Sequence, residues 1–136
     1  MPDAEKALPL VLIVDDSPHV TGPLQILFEE TGRRVAVANS VASAVHMCEV
    51  ERPDLMLLDV TLPDGDGLGV LEILRDTSAL PAVTVALTGH DDSLTVQRCR
   101  AAGCREVLLK PVPVRDLLRR AAGWLSESDV PDGRQA

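Results

Sequence analysis

The chain has 136 residues, 46% of them hydrophobic, which is enough for one globular domain with a single core. Its formal net charge is −8 and its arginines are scattered, so the composition argues against a surface that binds nucleic acid directly. The three cysteines do not form a disulfide framework, and we find neither a signal peptide nor an apolar run of membrane-spanning length. We therefore expect a cytoplasmic protein without membrane contacts.

The first half of the chain predicts three strands and two helices. Residues 1–9 are a polar lead. Ser17 followed by Pro18 predicts the start of a helix, and Ser40 is placed to cap a second one. The strands are predicted from short apolar segments at residues 10–14, 34–38 and 55–58.

The second half continues the same alternation. A turn-rich loop at 62–67 precedes a third helix, and Asp91 or Asp92 is placed to start a fourth. Apolar residues recur at helical spacing over 114–125, and residues 126–136 predict a frayed tail or the start of a linker. The remaining strands are predicted at residues 82–87 and 105–109.

Five strands that alternate with five helices predict an α/β fold with a doubly wound parallel sheet, formed by residues 10–125 as one domain. In such sheets, ligands bind at the carboxyl ends of the strands, near the point where the strand order reverses. Polar residues follow four of the predicted strands at this edge: Asp15 and Asp16, Asp59, Thr88, and Lys110.

Each of these residues has an ordinary explanation by itself. An aspartate after a strand usually caps a helix or forms a turn, and we interpret Asp64 and Asp66 as turn residues. The joint placement of the five residues nevertheless predicts one shared polar site. Three neighbouring carboxylates repel one another unless a cation lies between them, and carboxylate oxygens are ligands that Mg²⁺ prefers.

The same residues suit phosphoryl chemistry. A carboxylate can act as a nucleophile and form an acyl phosphate, whose oxygens then need a cation and a hydroxyl donor. Thr88 and Lys110 supply these groups. The chain has eleven arginines but only two lysines, so a lysine directly after a buried strand indicates that a compact charge is required there.

These motifs resemble the receiver domain of bacterial two-component response regulators. The resemblance covers about residues 10–125 and rests on VLIVDDSP, LMLLDVTLPDGDG, ALTG and LLKP. It implies a flavodoxin-like fold with strand order 2-1-3-4-5. It also implies a signalling domain that catalyses only its own phosphoryl transfer and dephosphorylation.

The resemblance assigns roles to individual residues. Asp59 would accept a phosphoryl group from a sensor histidine kinase or a phosphotransfer protein. Mg²⁺ would be held by Asp16, Asp59 and the backbone carbonyl of Thr61, with Asp15 assisting through water. Lys110 would contact the phosphoryl group, and Thr88 would hydrogen-bond to it. Structural roles fall to Gly67 and to Pro111, whose peptide bond with Lys110 is expected to be cis.

One position departs from the family pattern. Many receivers carry Tyr or Phe three residues before the lysine, and this ring turns inward as the threonine moves. Val107 occupies the position here. We therefore expect a shallow switch that depends on Thr88 and on backbone movement.

Two other classes of protein place similar residues at strand ends. A haloacid-dehalogenase-like phosphatase needs a second aspartate two residues after its nucleophile, where this chain has Thr61. A flavodoxin-like binding module needs a phosphate-binding loop after the first strand, where this chain has the acidic DDSPHVTG. Only 11 residues follow Leu125, so we expect a stand-alone regulator or a receiver cut from a longer protein. We expect it to be a monomer or a weak homodimer, and its downstream partner is unknown.

Overall fold

The computed structural model describes residues 8–89 and 92–129. The possible helix start at Asp91, most of the predicted lead and most of the predicted tail lie outside the described residues. No helix within the described part is both long enough and apolar enough to cross a membrane.

Five parallel strands form the sheet. They are β1 (Leu10–Val14), β2 (Arg34–Ala38), β3 (Leu55–Asp59), β6 (Val83–Thr88) and β7 (Glu106–Leu109), and their order is β2-β1-β3-β6-β7. Counted over these five strands, the order is 2-1-3-4-5, which confirms the prediction. The order reverses at β1 and β3, which are direct neighbours, so the residues that follow them meet at the binding edge of the sheet.

Five helices cover the two faces of the sheet. They are α1 (Pro18–Glu30), α2 (Val41–Val50), α3 (Leu68–Thr77), α4 (Ser93–Ala102) and α5 (Val114–Asp129). Alternate strand residues point to opposite faces, so the core has two parts. Leu12, Met56 and Ala86 pack with α2, α3 and α4, whereas Ile13, Leu57 and Val85 pack with α1 and α5.

The helix starts follow the sequence signals with one variation. Ser40 accepts a hydrogen bond from the backbone N–H of Ser43 and forms a capping box with it. Ser17 occupies the N-cap position before Pro18, but its side chain makes no capping hydrogen bond. Asp92 caps α4 through the backbone N–H of Thr95.

Two features differ from the predictions. The loop after β3 contains a small antiparallel hairpin, β4 (Thr61–Leu62) and β5 (Gly65–Asp66), whose strands are too short to give a periodic signal. In addition, α5 continues to Asp129, so the predicted boundary at Leu125 falls inside this helix.

Candidate functional site

Three carboxylates meet at the reversal point of the sheet. Asp15 and Asp16 follow β1, and Asp59 is the last residue of β3. One oxygen from each of these side chains lies within 4.8 Å of the others. Asp15 and Asp59 are only 2% and 7% exposed, whereas Asp16 is open to solvent. The predicted acidic cluster therefore has two buried members and one that solvent can reach.

Lys110 brings a positive charge into this cluster from the end of β7. Its Nζ donates to Oδ2 of Asp15 at 2.6 Å and to Oδ2 of Asp59 at 3.1 Å. The Lys110–Pro111 peptide bond is cis, as the resemblance implied. One ammonium thus bridges two buried carboxylates.

Backbone N–H groups bind the other oxygen of each buried carboxylate. Ser17 donates to Oδ1 of Asp15 at 2.9 Å, and Thr61 donates to Oδ1 of Asp59 at 3.0 Å. Such bonds, from the residue two positions later, are typical of an aspartate at a turn. They fix the direction in which both carboxylates point.

The electrostatic balance differs between Asp59 and Lys110. Burial is the largest influence on Asp59 and raises the pKa of its carboxyl group, although Lys110 and the Thr61 amide act in the opposite direction. Burial is also the largest single influence on Lys110 and acts to lower its pKa. Hydrogen bonds and charges from Asp15 and Asp59 outweigh burial, so the pKa of Lys110 is raised. Lys110 is therefore charged, but its charge does not fully offset the effect of burial on the pKa of Asp59.

The donor set fits a hard divalent cation. Carboxylate oxygens from Asp15, Asp16 and Asp59 lie close together, and one of the three is exposed enough to leave room for coordinating water. Asp15 has both oxygens engaged, by Lys110 and by the Ser17 amide. Asp59 also has both oxygens engaged, by Lys110 and by the Thr61 amide, so these contacts do not distinguish it from Asp15. Asp16 is the exposed carboxylate of the three, and the outer role of Asp15 stays a prediction. Thr61 is exposed beside Asp59, where its carbonyl remains a predicted ligand.

Gly67 packs directly behind Asp59. A Cβ atom built on Gly67 would overlap the carbonyl oxygen of Asp59 and lie 3.0 Å from the carbonyl carbon. The Gly67 amide also donates to the carbonyl of Val60 at 2.6 Å. The structural importance expected for Gly67 thus has a steric cause, since only glycine allows this close backbone approach.

The predicted switch residues lie at neighbouring strand ends. Thr88, the last residue of β6, is 2% exposed, and its carbonyl accepts a hydrogen bond from the Lys110 amide at 2.8 Å. It follows Leu87, the partner of Asp59 in the sheet register. Val107 is half-buried and packs on the α2–α4 side of the sheet. The structure thus joins Thr88 to Lys110 through a backbone hydrogen bond, whereas the contacts of Val107 are with the apolar core.

Sequence reasoning missed the contacts made by the hairpin after Asp59. Asp64 binds two backbone amides at the start of α2, and Asp66 binds the Leu68 amide and forms an ion pair with Arg98 of α4. Asp64 lies in the turn, as expected, whereas Asp66 is the last residue of β5, so the prediction of a turn position is wrong for Asp66. Each of the two side chains also contacts a helix. Turn composition does not indicate the contacts with α2 and α4, because these depend on partners 22 to 32 residues away in the sequence.

An apolar groove lies beside the site between α1 and α5. Its volume is about 450 Å³, and Lys110 lies at its border. The remaining lining residues are mostly aliphatic, with His19 as the other ionisable one: Val20, Pro23, Leu24, Leu87, Pro111, Val112, Val114 and Leu117.

Comparisons with known proteins agree with this geometry. The family described as "Response regulator receiver domain" matches residues 11–122. The transcriptional regulatory protein AfsQ1 of Streptomyces coelicolor is 33% identical over 122 residues, which are 90% of this chain and 53% of AfsQ1. The DNA-binding response regulator MtrA of Mycolicibacterium smegmatis is 31% identical over 119 residues, which are 88% of this chain and 51% of MtrA. The chain thus spans about half the length of these curated relatives.

Solved structures show the same fold. A CheY-like receiver domain protein from Methanospirillum hungatei superposes with a TM-score of 0.82 at 27% identity, covering 90% of this chain and 98% of that one. A signal receiver domain from Vibrio parahaemolyticus reaches a TM-score of 0.85 at 22% identity, covering 95% of this chain and 98% of that one. Together with the family match and the strand-end site, these similarities show that the chain belongs to the receiver domains of two-component response regulators.

Proposed function

We propose that Asp59 accepts a phosphoryl group in a Mg²⁺-dependent reaction, from a phosphohistidine on a sensor kinase or a phosphotransfer protein. The contact of Lys110 with both Asp15 and Asp59, beside the exposed carboxylate of Asp16, carries this proposal. It unites a nucleophile, a fixed positive charge and metal-binding oxygens within one site.

Asp59, Thr61 and Lys110 have different roles in the proposed phosphoryl transfer. An oxygen of ionised Asp59 attacks phosphorus, forming a P–O bond as the P–N bond to the donor histidine breaks. The Thr61 amide on Oδ1 of Asp59 holds the carboxylate in place. The Lys110 ammonium can turn from the Asp59 carboxylate to the incoming phosphoryl oxygens, because it already lies 3.1 Å from Oδ2 of Asp59. Bound Mg²⁺ would neutralise charge on the transferred group.

The acceptor is tested with a small phosphodonor. Incubation with acetyl phosphate and Mg²⁺ should add one phosphoryl group to the wild-type protein, measured as intact mass. Asp59→Asn should take up none, whereas Asp76→Asn, a change on α3, should be labelled like wild type. Equal labelling of the Asp59→Asn variant would remove Asp59 from this role.

The apolar groove between α1 and α5 supports a protein donor. A histidine kinase must bring its phosphohistidine to Asp59, and apolar side chains next to Lys110 offer a docking surface at the required position. A partner docked there would shield the site during transfer.

The proposed role places the protein in the cytoplasm, where it catalyses only its own phosphoryl transfer and dephosphorylation.

The output of the domain is proposed to be a change in protein contacts. AfsQ1 and MtrA are named as transcriptional and DNA-binding regulators, and this chain matches about half of each. The prediction that this chain itself does not bind nucleic acid is tested by electrophoretic mobility shift with mixed-sequence duplex DNA. A shift that depends on salt and persists in Asp59→Asn would contradict it.

A further inference from the structure

The hairpin formed by β4 and β5 connects Asp59 to the N-terminus of α3. Thr61, the predicted carbonyl ligand for Mg²⁺, lies in its first strand and pairs with Asp66 in the second. Each strand has only two residues, and a two-stranded ribbon of this size is marginal without further support. Leu62 is buried in the core and pairs with Gly65 beside the turn. Residues 63 and 64 of the turn itself are exposed, so a further contact there would limit movement of the strand that carries Thr61.

Asp64 provides this contact at the tip. Its Oδ1 accepts from the Val41 amide at 2.8 Å and its Oδ2 accepts from the Ala42 amide at 3.2 Å. These two N–H groups open α2 and have no intrahelical acceptor, because the first turn of a helix always leaves such donors. One carboxylate therefore joins the hairpin to α2 through two hydrogen bonds.

Two separate sets of hydrogen bonds cap the start of α2. Ser40 accepts from the Ser43 amide at 3.1 Å, and this bond lies entirely within the α2 N-terminus. The Asp64 bonds bridge α2 and the hairpin instead. Both sets of hydrogen bonds stabilise α2, but of the two only the Asp64 bonds also hold the segment that follows Asp59. This difference allows a positioning role to be separated from ordinary helix capping.

We propose that Asp64 is a positioning residue for the metal site, which holds the hairpin against α2 and thereby keeps Thr61 in place beside Asp59. The inference rests on the proposed function of the site. Asp64 contacts neither the metal nor the phosphoryl group in this role. It acts through Thr61, whose amide binds Oδ1 of Asp59 and whose carbonyl is the predicted ligand.

Three variants test the proposal: Asp64→Ala, Asp64→Asn and Ser40→Ala. Mg²⁺ affinity is measured by titration calorimetry, and stability is measured by urea denaturation without Mg²⁺. Loss of a group that orients a metal ligand commonly weakens metal binding by about tenfold or more, and for this exposed contact we expect about three- to tenfold in Asp64→Ala. Asp64→Asn keeps one acceptor oxygen and should recover part of the affinity. Ser40→Ala should lose stability and keep the wild-type Mg²⁺ affinity.

Two further measurements separate positioning from global damage. The Thr61 amide should exchange its hydrogen faster in Asp64→Ala than in Ser40→Ala. Labelling of Asp64→Ala by acetyl phosphate should be slow at limiting Mg²⁺ and should approach the wild-type rate as Mg²⁺ is raised to saturation. A labelling rate that does not rise with Mg²⁺ relative to wild type would overturn the proposal, because the defect would then not lie in metal binding.

The remaining outcomes are also decisive. Wild-type Mg²⁺ affinity in Asp64→Ala, or in Asp64→Asn if the alanine variant does not fold, would overturn the inference. Equal weakening in Ser40→Ala would do so as well, by assigning the effect to the end of α2. If wild type itself is not labelled by acetyl phosphate, the proposed function fails. If wild type is labelled and Asp64 is neutral, only this inference fails.

Discussion

Lys110 lies closer to Asp15 than to Asp59, the expected phosphoryl acceptor: 2.6 Å separates its Nζ from the first carboxylate and 3.1 Å from the second. Lys110 and Asp15 are 95 positions apart in the sequence. In this arrangement the lysine neutralises a carboxylate that is 2% exposed and remains within reach of Asp59. The lysine therefore has a role in stability besides its proposed role in phosphoryl transfer.

Removing the Lys110 ammonium should destabilise the fold. Lys110→Ala leaves the buried Asp15 carboxylate without its ion partner, which we expect to cost about 2 kcal/mol, below the usual value for fully buried pairs because Lys110 is partly exposed. Urea denaturation measures the loss. Arg119→Ala, which breaks an exposed pair with Asp116, is the control and should change stability by less than about 0.5 kcal/mol. Equal effects in the two variants would contradict this view of Lys110.

Asp16 should be the residue on which metal binding depends most directly. Asp16→Ala removes the exposed carboxylate of the cluster and is expected to weaken Mg²⁺ binding by about tenfold or more. Asp76→Ala removes a carboxylate on α3 and should have no effect. Calorimetric titration of both variants decides, and unchanged affinity in Asp16→Ala would place the metal elsewhere.

The fold and the candidate site differ in how far the sequence predicts them. The apolar segments locate the five sheet strands to within one residue at each end. Three of these strands, β1, β3 and β6, are buried along their whole length, which requires nearly continuous apolar side chains. The meeting of Asp15 and Asp59 follows from strand order, because β1 and β3 are neighbours, whereas Lys110 follows β7, two strands away from β3. The pairing of Lys110 with Asp15 does not follow from strand order, because it depends on side-chain direction, and the helix contacts of Asp64 and Asp66 depend on tertiary packing.

Gly67 should tolerate no side chain. Gly67→Ala places a Cβ against the backbone of Asp59, and we expect a loss of about 1–3 kcal/mol because the obstructing atoms are main chain. Gly69→Ala is a matched change in α3 with no atom within 4 Å of the new Cβ. It should be neutral or stabilise by up to about 1 kcal/mol. Thermal unfolding of both variants provides the comparison, and a stable Gly67→Ala would show that the hairpin can move away from Asp59.

The charge on Asp59 should cost stability in the absence of metal. Its pKa is raised above the ordinary 3.8, so the folded chain holds this proton more tightly than the unfolded chain does. The cost is therefore present above the folded pKa and disappears as the pH falls to the unfolded value. In EDTA, Asp59→Asn should be more stable than wild type at pH 7.5, and the difference should shrink towards pH 4. A variant less stable than wild type at pH 7.5 would show that the Lys110 contact outweighs burial.

Val107 should limit the strength of the switch. With no ring at this half-buried position, we expect the phosphoryl mimic beryllofluoride to change partner affinity or self-association by a coupling of roughly 1–3 kcal/mol. Val107→Tyr supplies the ring and should increase the coupling. Sedimentation of both proteins with and without beryllofluoride measures self-association. A much larger response in wild type, with no gain in the tyrosine variant, would make this position irrelevant.

The parallel topology also sets an order of assembly during synthesis. β1 and β3 can pair as soon as residues up to Asp59 have left the ribosome, and this brings Asp15 and Asp59 together. β7 forms the edge of the sheet and pairs only with β6, so Lys110 joins the site last. A nascent chain that lacks β7 holds its buried carboxylates without the ammonium that bridges them.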